Sequence, residues 1–148
     1  SDGTVVAAEI RDNTGAAHDY GQEEIAGLTD IIAVSTGYGF TVGLRKDGTV
    51  VAAGDNTYGQ CDVEEWEDIV AISANFKHVI GLKADGTVVA AGWNENGECD
   101  VEEWEDIVAI STGTSHTIGL KADGTLVAAG NNKDGRCDVE DWQDILVR

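Results

Sequence analysis

The sequence KADGTVVAAG, residues 83–92, decides the fold because it recurs along the chain. It returns as KADGTLVAAG at 121–130 and as KDGTVVAAG at 46–54, and a partial copy, DGTVVAA, occupies 2–8. The Asp-Gly-Thr triplets start at positions 2, 47, 85 and 123, so the first interval is 45 residues and the next two are 38. A fixed period of this length is typical of a repeat architecture.

One repeat unit, residues 69–106, is predicted to fold into four short antiparallel strands, named A to D in chain order. IVAIS at 69–73 is strand A, HVIGL at 78–82 is strand B and TVVAA at 87–91 is strand C, because these runs are apolar and rich in β-branched residues. ECDV at 98–101 is predicted as strand D. The Asp-Gly between strands B and C is a strong hairpin signal. Four strands in a unit of about 40 residues predict an all-β fold, a β-propeller of four-stranded antiparallel blades.

The whole chain, 1–148, is predicted to be a single repeat domain of about 3.5 blades. Its parts are a partial unit at 1–30, complete units at 31–68, 69–106 and 107–144, and a terminal strand at 145–148. The two ends together lack a strand B, so they do not complete one blade. Because a closed ring leaves no sheet edge unpaired, we expect another copy of the chain to complete the ring. The alternative is that the chain is a fragment of a longer protein.

The charge of the chain limits its partners. The formal net charge is -19 over 148 residues, a field that repels a phosphate backbone or an anionic membrane surface. A basic protein or a cation remains compatible with it. The sequence has no apolar run long enough to cross a membrane and no leader-like stretch at Ser1. We therefore expect no nucleic acid partner, no membrane partner and a soluble protein, whose compartment the sequence does not identify.

Three cysteines, Cys61, Cys99 and Cys137, recur at the repeat period. Equivalent positions of successive units are too far apart for a disulfide, which needs Cα atoms within about 7 Å. The same separation argues against a shared metal site, so we interpret the cysteines as small buried apolar residues. No metal site and no cofactor is predicted.

Histidine and tryptophan also recur with the repeat, which favours a structural role for both. His78 and His116 stand at one position of two units, and Trp66, Trp104 and Trp142 stand at another position of all three. A catalytic site is a single place, so we interpret the histidines as residues that pack or make a backbone hydrogen bond, and the tryptophans as core between blades. The sequence contains no phosphate-binding or nucleophile motif. We predict no catalytic residue and no enzymatic activity.

The glycine, histidine and Leu-Lys-x-Asp-Gly pattern resembles the repeat of the regulator of chromosome condensation family. The residues that carry the resemblance in the last unit are Gly113, His116, Gly119, Leu120, Lys121, Asp123, Gly124, Gly130, Asn132 and Gly135. The repeats are most similar in style to those of a bacterial β-lactamase inhibitor protein. The resemblance implies a propeller, commonly of seven blades, that acts by binding proteins. This chain departs from the family in having fewer units and in carrying Phe40 where the other units have histidine.

The turns on one side of the predicted blades vary, whereas those on the other side are nearly constant. The B–C hairpin, as at 83–87, and the link from strand D to the next strand A, as at 102–106, change little between units. In an up-and-down sheet the A–B and C–D turns lie on the opposite face, and exposed aromatic residues on turns are typical of binding surfaces. The candidate partner-binding residues on this variable face are Tyr38, Asp55, Thr57, Tyr58, Phe76, Lys77, Trp93, Glu95, Asn96, Thr114, Ser115, Asn131, Lys133 and Asp134.

The sequence thus predicts a non-enzymatic module that binds a protein partner through its A–B and C–D loops. The alternative is a structural propeller fragment that assembles with itself into a homo-oligomeric ring and has no separate ligand. Drift at tolerant loop tips would produce the same variation without any binding role. The near identity of the units indicates recent duplication or deliberate design.

Overall fold

The computed structural model describes residues 28–143 and 145, and the regular structure of this part of the chain is β-strand. Its nine strands are β1 (Ile31–Gly37), β2 (Phe40–Arg45), β3 (Val50–Gly54), β4 (Ile69–Asn75), β5 (His78–Lys83), β6 (Val88–Gly92), β7 (Ile107–Thr112), β8 (His116–Lys121) and β9 (Leu126–Gly130). They form three antiparallel sheets of three consecutive strands each. Each sheet is a propeller blade, numbered 1 to 3 in chain order, and the prediction of an all-β propeller is confirmed. Most of the partial unit 1–30 and of the terminal strand 145–148 lies outside the described residues.

The predicted fourth strand of each blade is not formed in the described part of the chain. Residues 98–101, predicted as strand D, instead run through successive turns. The amide of Cys99 donates to the Asn94 side-chain oxygen at 2.7 Å, and the amide of Val101 donates to the carbonyl of Cys99 at 2.9 Å. Because these amides bond to nearby atoms of the same loop, they do not form a ladder with β6. Each blade therefore has three strands followed by a compact loop.

Strand register places the turns of a blade at two opposite ends. In blade 2, His78 pairs with Asn75 on one side and with Gly92 on the other, so the A–B and C–D turns begin at the same end. Leu82 pairs with Val88 near the other end, where the B–C hairpin closes the sheet. We call the first end the loop rim, formed by 38–39, 76–77 and 113–115 with 55–60, 93–98 and 131–136. We call the second end the hairpin rim, formed by 46–49, 84–87 and 122–125 with the links 64–68 and 102–106.

Apolar residues fill the space between neighbouring blades. One cluster joins Phe40, Val42 and Leu44 of blade 1 to Ile69 and Val79 of blade 2. A second cluster joins Ile80, Leu82 and Val88 of blade 2 to residues of blade 3, with the half-buried Ile110, Val127 and Ala129 packed against it. Removing this apolar surface from water is the main force that holds one blade against the next.

The recurrent tryptophans take part in this packing where another blade follows. Trp104 is 9% exposed, and a Cβ added to Gly119 would lie 2.9 Å from its ring. Trp66 covers Gly81 at the same distance. The interpretation as packing between blades is confirmed for these two residues. Trp142 is 56% exposed, so it does not share this buried position.

The described residues contain no helix that is both long and apolar enough to cross a membrane.

Candidate protein-binding rim

The three C–D turns of the loop rim share one backbone frame. In blade 2, the side-chain Nδ2 of Asn94 donates to the carboxylate of Asp100 at 2.8 Å, while the side-chain Oδ1 of Asn94 accepts the backbone amide of Cys99 at 2.7 Å. Gly97 has a φ of 85°, a left-handed conformation that glycine adopts without strain and other residues do not. Equivalent bonds hold the turns around Asn56 and Asn132. The frame fixes the loop whatever side chains occupy its variable positions.

The cysteines belong to this frame. Their side chains are half-buried and free, and the thiol of Cys99 donates to the carbonyl of Trp93 at 3.4 Å, as that of Cys61 does to Asp55. Burial, followed by nearby carboxylates, raises the pKa of Cys99 to about 12 and that of Cys61 to about 11. These thiols stay protonated at neutral pH, so they act as weak hydrogen-bond donors that help to position the loops.

The A–B turns of neighbouring blades contact each other directly. The amide of Tyr38 in blade 1 donates to the carbonyl of Phe76 in blade 2 at 2.7 Å. Phe76 has a φ of 40°, a left-handed conformation that is uncommon for an aromatic residue. Lys77 follows, and its carbonyl accepts the amide of Trp93 at 2.9 Å. Backbone bonds therefore fix the starting points of several variable side chains.

Three aromatic residues of blades 1 and 2, Tyr58, Phe76 and Trp93, surround Lys77, and Tyr38 packs against Phe76. We call these four aromatic residues the aromatic patch. The rings of Tyr58 and Trp93 meet edge to face with centroids 4.6 Å apart, and those of Tyr38 and Phe76 are 5.8 Å apart. The ammonium of Lys77 lies 4.4 Å from the centroid of Tyr58 and donates to its hydroxyl at 3.1 Å.

The aromatic patch is largely open to solvent. Tyr38 is 61% exposed, Phe76 39% and Tyr58 36%, while Trp93 is half-buried. Large apolar side chains grouped on an exposed rim are typical of a site where another molecule binds.

The predicted residues of blade 3 form a different, polar surface. Thr114, Lys133 and Asp134 are exposed, and Ser115 and Asn131 are half-buried. The Asn131 side chain accepts the amide of Lys133 at 2.8 Å, and Asp134 is paired with Arg136. The fourteen predicted residues therefore lie along one rim, but only the four aromatic ones, all in blades 1 and 2, form the aromatic patch.

The remaining predicted residues divide between the patch and its support. Asp55 accepts hydrogen bonds from the hydroxyl and amide of Thr57, which lower its pKa, and the charge of Lys77 lowers it further. Asn96 donates from its amide and from Nδ2 to Glu98, at 2.9 Å and 2.7 Å. Glu95 is exposed. Asn96 and Asp55 thus stabilise their own turns, and the Asp55 carboxylate lies in the turn that carries Tyr58.

Sequence reasoning did not identify a set of buried polar groups that supports the rim. Glu98 is 1% exposed, and its backbone carbonyl accepts the hydroxyl of Thr117 of blade 3 at 2.8 Å. The same hydroxyl lies 3.1 Å from Nε2 of His78, so one threonine links two blades. Burial lowers the pKa of His78, which favours the neutral ring. The sequence gives only a weak signal at the Thr117 position, which holds Thr41 and Thr117 in two units and Val79 in the other.

Gln60 occupies the position of Glu98 in blade 1 and supports the patch from beneath. It is fully buried, and its Oε1 accepts the amide of Tyr58 at 2.9 Å. The described residues provide no group of three or more metal-ligating side chains. An open cleft lies beside the first hairpin of the hairpin rim, away from the aromatic patch, and is lined by Asp30, Arg45 and Asp47 among others.

Comparison with solved structures shows the same architecture in larger proteins. Prp20p from Saccharomyces cerevisiae matches with a TM-score of 0.63 and 18% identity over 84% of this chain and 38% of its own. Human WBSCR16 matches with a TM-score of 0.60 and 20% identity over 70% of this chain and 34% of its own. The ectodomain of the receptor kinase CR4 from Physcomitrella patens matches with a TM-score of 0.59 and 25% identity, covering 73% and 31%.

The chain therefore spans about a third of the length of these structures. A search of curated proteins gives no match. The sequence profile of the Regulator of chromosome condensation (RCC1) repeat matches three segments, 31–60, 69–98 and 107–136, which together make up more than half of the chain. Each segment begins with the first strand of a blade and ends in its C–D turn. The chain belongs to the RCC1 repeat family.

Proposed function

We propose that this chain is a non-enzymatic protein-binding module that contacts its partner through the loop rim, with the aromatic patch as the anchor. The observation that carries the proposal is the convergence of Tyr38, Tyr58, Phe76 and Trp93, from four different turns, on one exposed surface. Tyrosine and tryptophan dominate the binding energy of many protein interfaces. Packing alone gives no reason to place them together on turns that face solvent.

The loop frame makes the rim suitable for binding. The Asn94 and Gln60 side chains and the carbonyls of Phe76 and Lys77 fix the backbone that carries the rings. A surface that is ordered before binding loses less conformational entropy when a partner arrives. The rim is thus a preorganised support on which side chains change without disturbing the blades.

Relatives support a protein as the partner. Prp20p, a structural neighbour, binds Gsp1p and histones. The net charge of -19 disfavours a nucleic acid on this chain, since a phosphate backbone is repelled by such a field. We therefore propose a protein partner, recognised through the aromatic patch.

The proposal is tested by affinity capture with matched variants of the full chain. The test variant combines Tyr58→Ala, Phe76→Ala and Trp93→Ala, and the control combines Thr114→Ala, Ser115→Ala and Lys133→Ala on the polar part of the same rim. A protein captured from a lysate by the wild type and by the control, and lost with the test variant, is the expected result. Dissociation constants measured with that purified protein should then rise by at least about 100-fold in the test variant.

Folding is monitored in the same experiment, because a variant that unfolds loses binding for a trivial reason. The thermal midpoints of both variants should stay within a few degrees of the wild type, as about 1 kcal/mol shifts the midpoint by roughly 2–8 °C. Captured proteins that bind the test variant as well as they bind the wild type would show that the aromatic patch is not the anchor.

Self-assembly is a second candidate function, favoured by the outward face of blade 3. Ile80 and Leu82 of β5 are buried, whereas Ile118 and Leu120 at the same positions of β8 are half-buried. A further blade seated there, from a second copy of the chain, would bury them to the same extent. Sedimentation velocity gives the mass in solution, and a species larger than one chain at micromolar concentration is expected. A monomer at that concentration contradicts self-assembly and leaves the binding proposal unaffected.

A further inference from the structure

The aromatic patch already holds a cation, which belongs to the protein itself. The Lys77 ammonium lies 4.4 Å from the centroid of the Tyr58 ring and 5.1 Å from the centroids of both Phe76 and Trp93. A cation within about 6 Å of a ring centroid is attracted by the negative face of the π system. Three rings thus share one ammonium, an arrangement that suits the recognition of a positively charged group.

The contact between Lys77 and the rings is not required by the fold. The equivalent residue is Gly39 in blade 1 and Ser115 in blade 3, and both blades form the same three-stranded sheet without a lysine there. What joins residue 77 to the next loop is its backbone carbonyl, which accepts the Trp93 amide. The side chain is a flexible stem on a solvent-facing turn, so another cation could displace its ammonium.

The charges around the patch favour a positively charged ligand. Asp55 lies in the same C–D turn as Tyr58, and Glu95 is exposed in the turn that bears Trp93. The chain as a whole carries a net charge of -19. This field attracts basic segments over long distances and repels acidic ones. If Lys77 leaves the rings, these carboxylates remain to pair with the incoming charge.

We infer that the aromatic patch is a receptor for an arginine or lysine side chain of a basic protein segment, and that Lys77 occupies it as an internal competitor in the free protein. The inference rests on the proposed binding function and names the chemistry of the partner. The rings contact the faces or methylenes of the incoming side chain, Asp55 balances its charge, and Lys77 turns into solvent. The rings and their backbone supports need no rearrangement for this exchange.

Removing the competitor tests the inference. A peptide of alternating glycine and arginine is titrated into 15N-labelled wild type and Lys77→Ala, with the indole N–H signal of Trp93 as the reporter, assigned through Trp93→Phe. We expect the peptide to bind Lys77→Ala about threefold to tenfold more tightly than the wild type. A matched peptide of alternating glycine and glutamate should cause no saturable shift in either protein.

Lys133→Ala is the matched control for charge. Lys133 lies on the same rim and, in the part of the chain that the structure describes, over no ring, so its removal changes the net charge equally without opening the patch. Its affinity for the arginine peptide should change by less than about twofold. A gain in Lys133→Ala equal to that in Lys77→Ala, or no gain in Lys77→Ala, overturns the inference.

A further variant shows whether the rings themselves bind the cation. Adding Tyr58→Ala to Lys77→Ala should remove at least the affinity that Lys77→Ala gained, whereas undiminished binding would contradict a ring-based receptor. The peptide titration and the capture experiment test different claims. Capture of a partner that depends on the aromatic patch, without any gain in Lys77→Ala, leaves the binding function standing and refutes only the basic partner. If Lys77→Ala binds the arginine peptide more tightly but no captured protein depends on the aromatic patch, the patch binds a cationic side chain and the proposed protein-binding function is refuted.

Discussion

Both rims of the blades consist of turns that connect strands, but the side chains of the hairpin rim are nearly constant between units whereas those of the loop rim vary. On the hairpin rim, Asp85 accepts the amide of Thr87 at 3.0 Å and its hydroxyl at 2.6 Å, and Gly86 has a φ of 85°. The same bonds and a similar φ occur in the other two hairpins. The hairpin also reaches the next blade, because the carbonyl of Gly86 accepts the amide of Ile107. Side chain and backbone are therefore both constrained.

On the loop rim, the backbone is constrained and most side chains are not. Asn94 and Cys99 hold the turn, and residues such as Trp93 and Glu95 project from it without being needed for its shape. The corresponding residues of blade 3 are Asn131 and Lys133 on the same backbone. The difference shows that this repeat separates the residues that build the blade from those that give it a surface chemistry.

Two tryptophans of the same blade provide the largest expected contrast between these regions. Trp104 is buried against Gly119 between blades, so Trp104→Ala leaves a cavity and should lower the free energy of unfolding by about 3–5 kcal/mol. Trp93 projects from the loop rim, and Trp93→Ala should cost about 1 kcal/mol, mainly its edge-to-face contact with Tyr58. Urea denaturation of the two variants measures both values. Similar losses would mean that the patch is part of the core.

The period of the sequence is enough to predict the blades, because apolar strands and an Asp-Gly hairpin are signals that act locally. The assignment of turns to two faces follows from the alternation of strand direction and is also correct. The error in residues 98–101 has a local cause that propensity does not reveal. The side chain of Asn94, five residues earlier, binds the amide of Cys99 that a strand would have used.

The meeting of Lys77 with three rings is not predictable in this way. Lys77 and Trp93 belong to blade 2 and Tyr58 belongs to blade 1, so their contact depends on how far the blades rotate about the axis. The link from His78 to Thr117 likewise joins residues that are one repeat apart. Contacts between units need the geometry of the ring, whereas the strands need only the sequence of one unit.

Two glycines of blade 2, one at the end of β6 and one in the C–D turn that follows, extend the comparison to the backbone. Gly92 has a φ of 112°, and an added Cβ would lie 2.3 Å from the carbonyl oxygen of Lys77. Gly92→Ala should therefore cost about 3 kcal/mol, because the Lys77 carbonyl that the Cβ would meet is held by its hydrogen bond from the Trp93 amide. Gly97 also has a positive φ, but its Cβ would meet only the side chain of Asp100. Gly97→Ala should cost about 1 kcal/mol, and equal losses on denaturation would show that the frame is not fixed by that backbone contact.

The smallest effect concerns pH and the buried link beneath the loop rim. Burial lowers the pKa of His78, so below about pH 6.5 the unfolded chain binds a proton more readily than the folded chain. The stability that neutral His78 contributes is therefore complete above that pH and is lost as the pH falls. Carboxylates titrate in the same experiment, so the measured quantity is the difference in unfolding free energy between wild type and His78→Gln.

As the pH falls below 7, the unfolding free energy of the wild type should decrease relative to that of His78→Gln. The reason is that glutamine keeps polar atoms near Thr117 but takes up no proton. His116→Gln is the matched control, since His116 is only half-buried although burial lowers its pKa too. Its difference from the wild type should change less over the same range. A difference for His78→Gln that stays constant with pH would mean that His78 is protonated as readily inside the fold as outside. The link to Thr117 would then not depend on a neutral ring, and the loop rim would keep its support in acid.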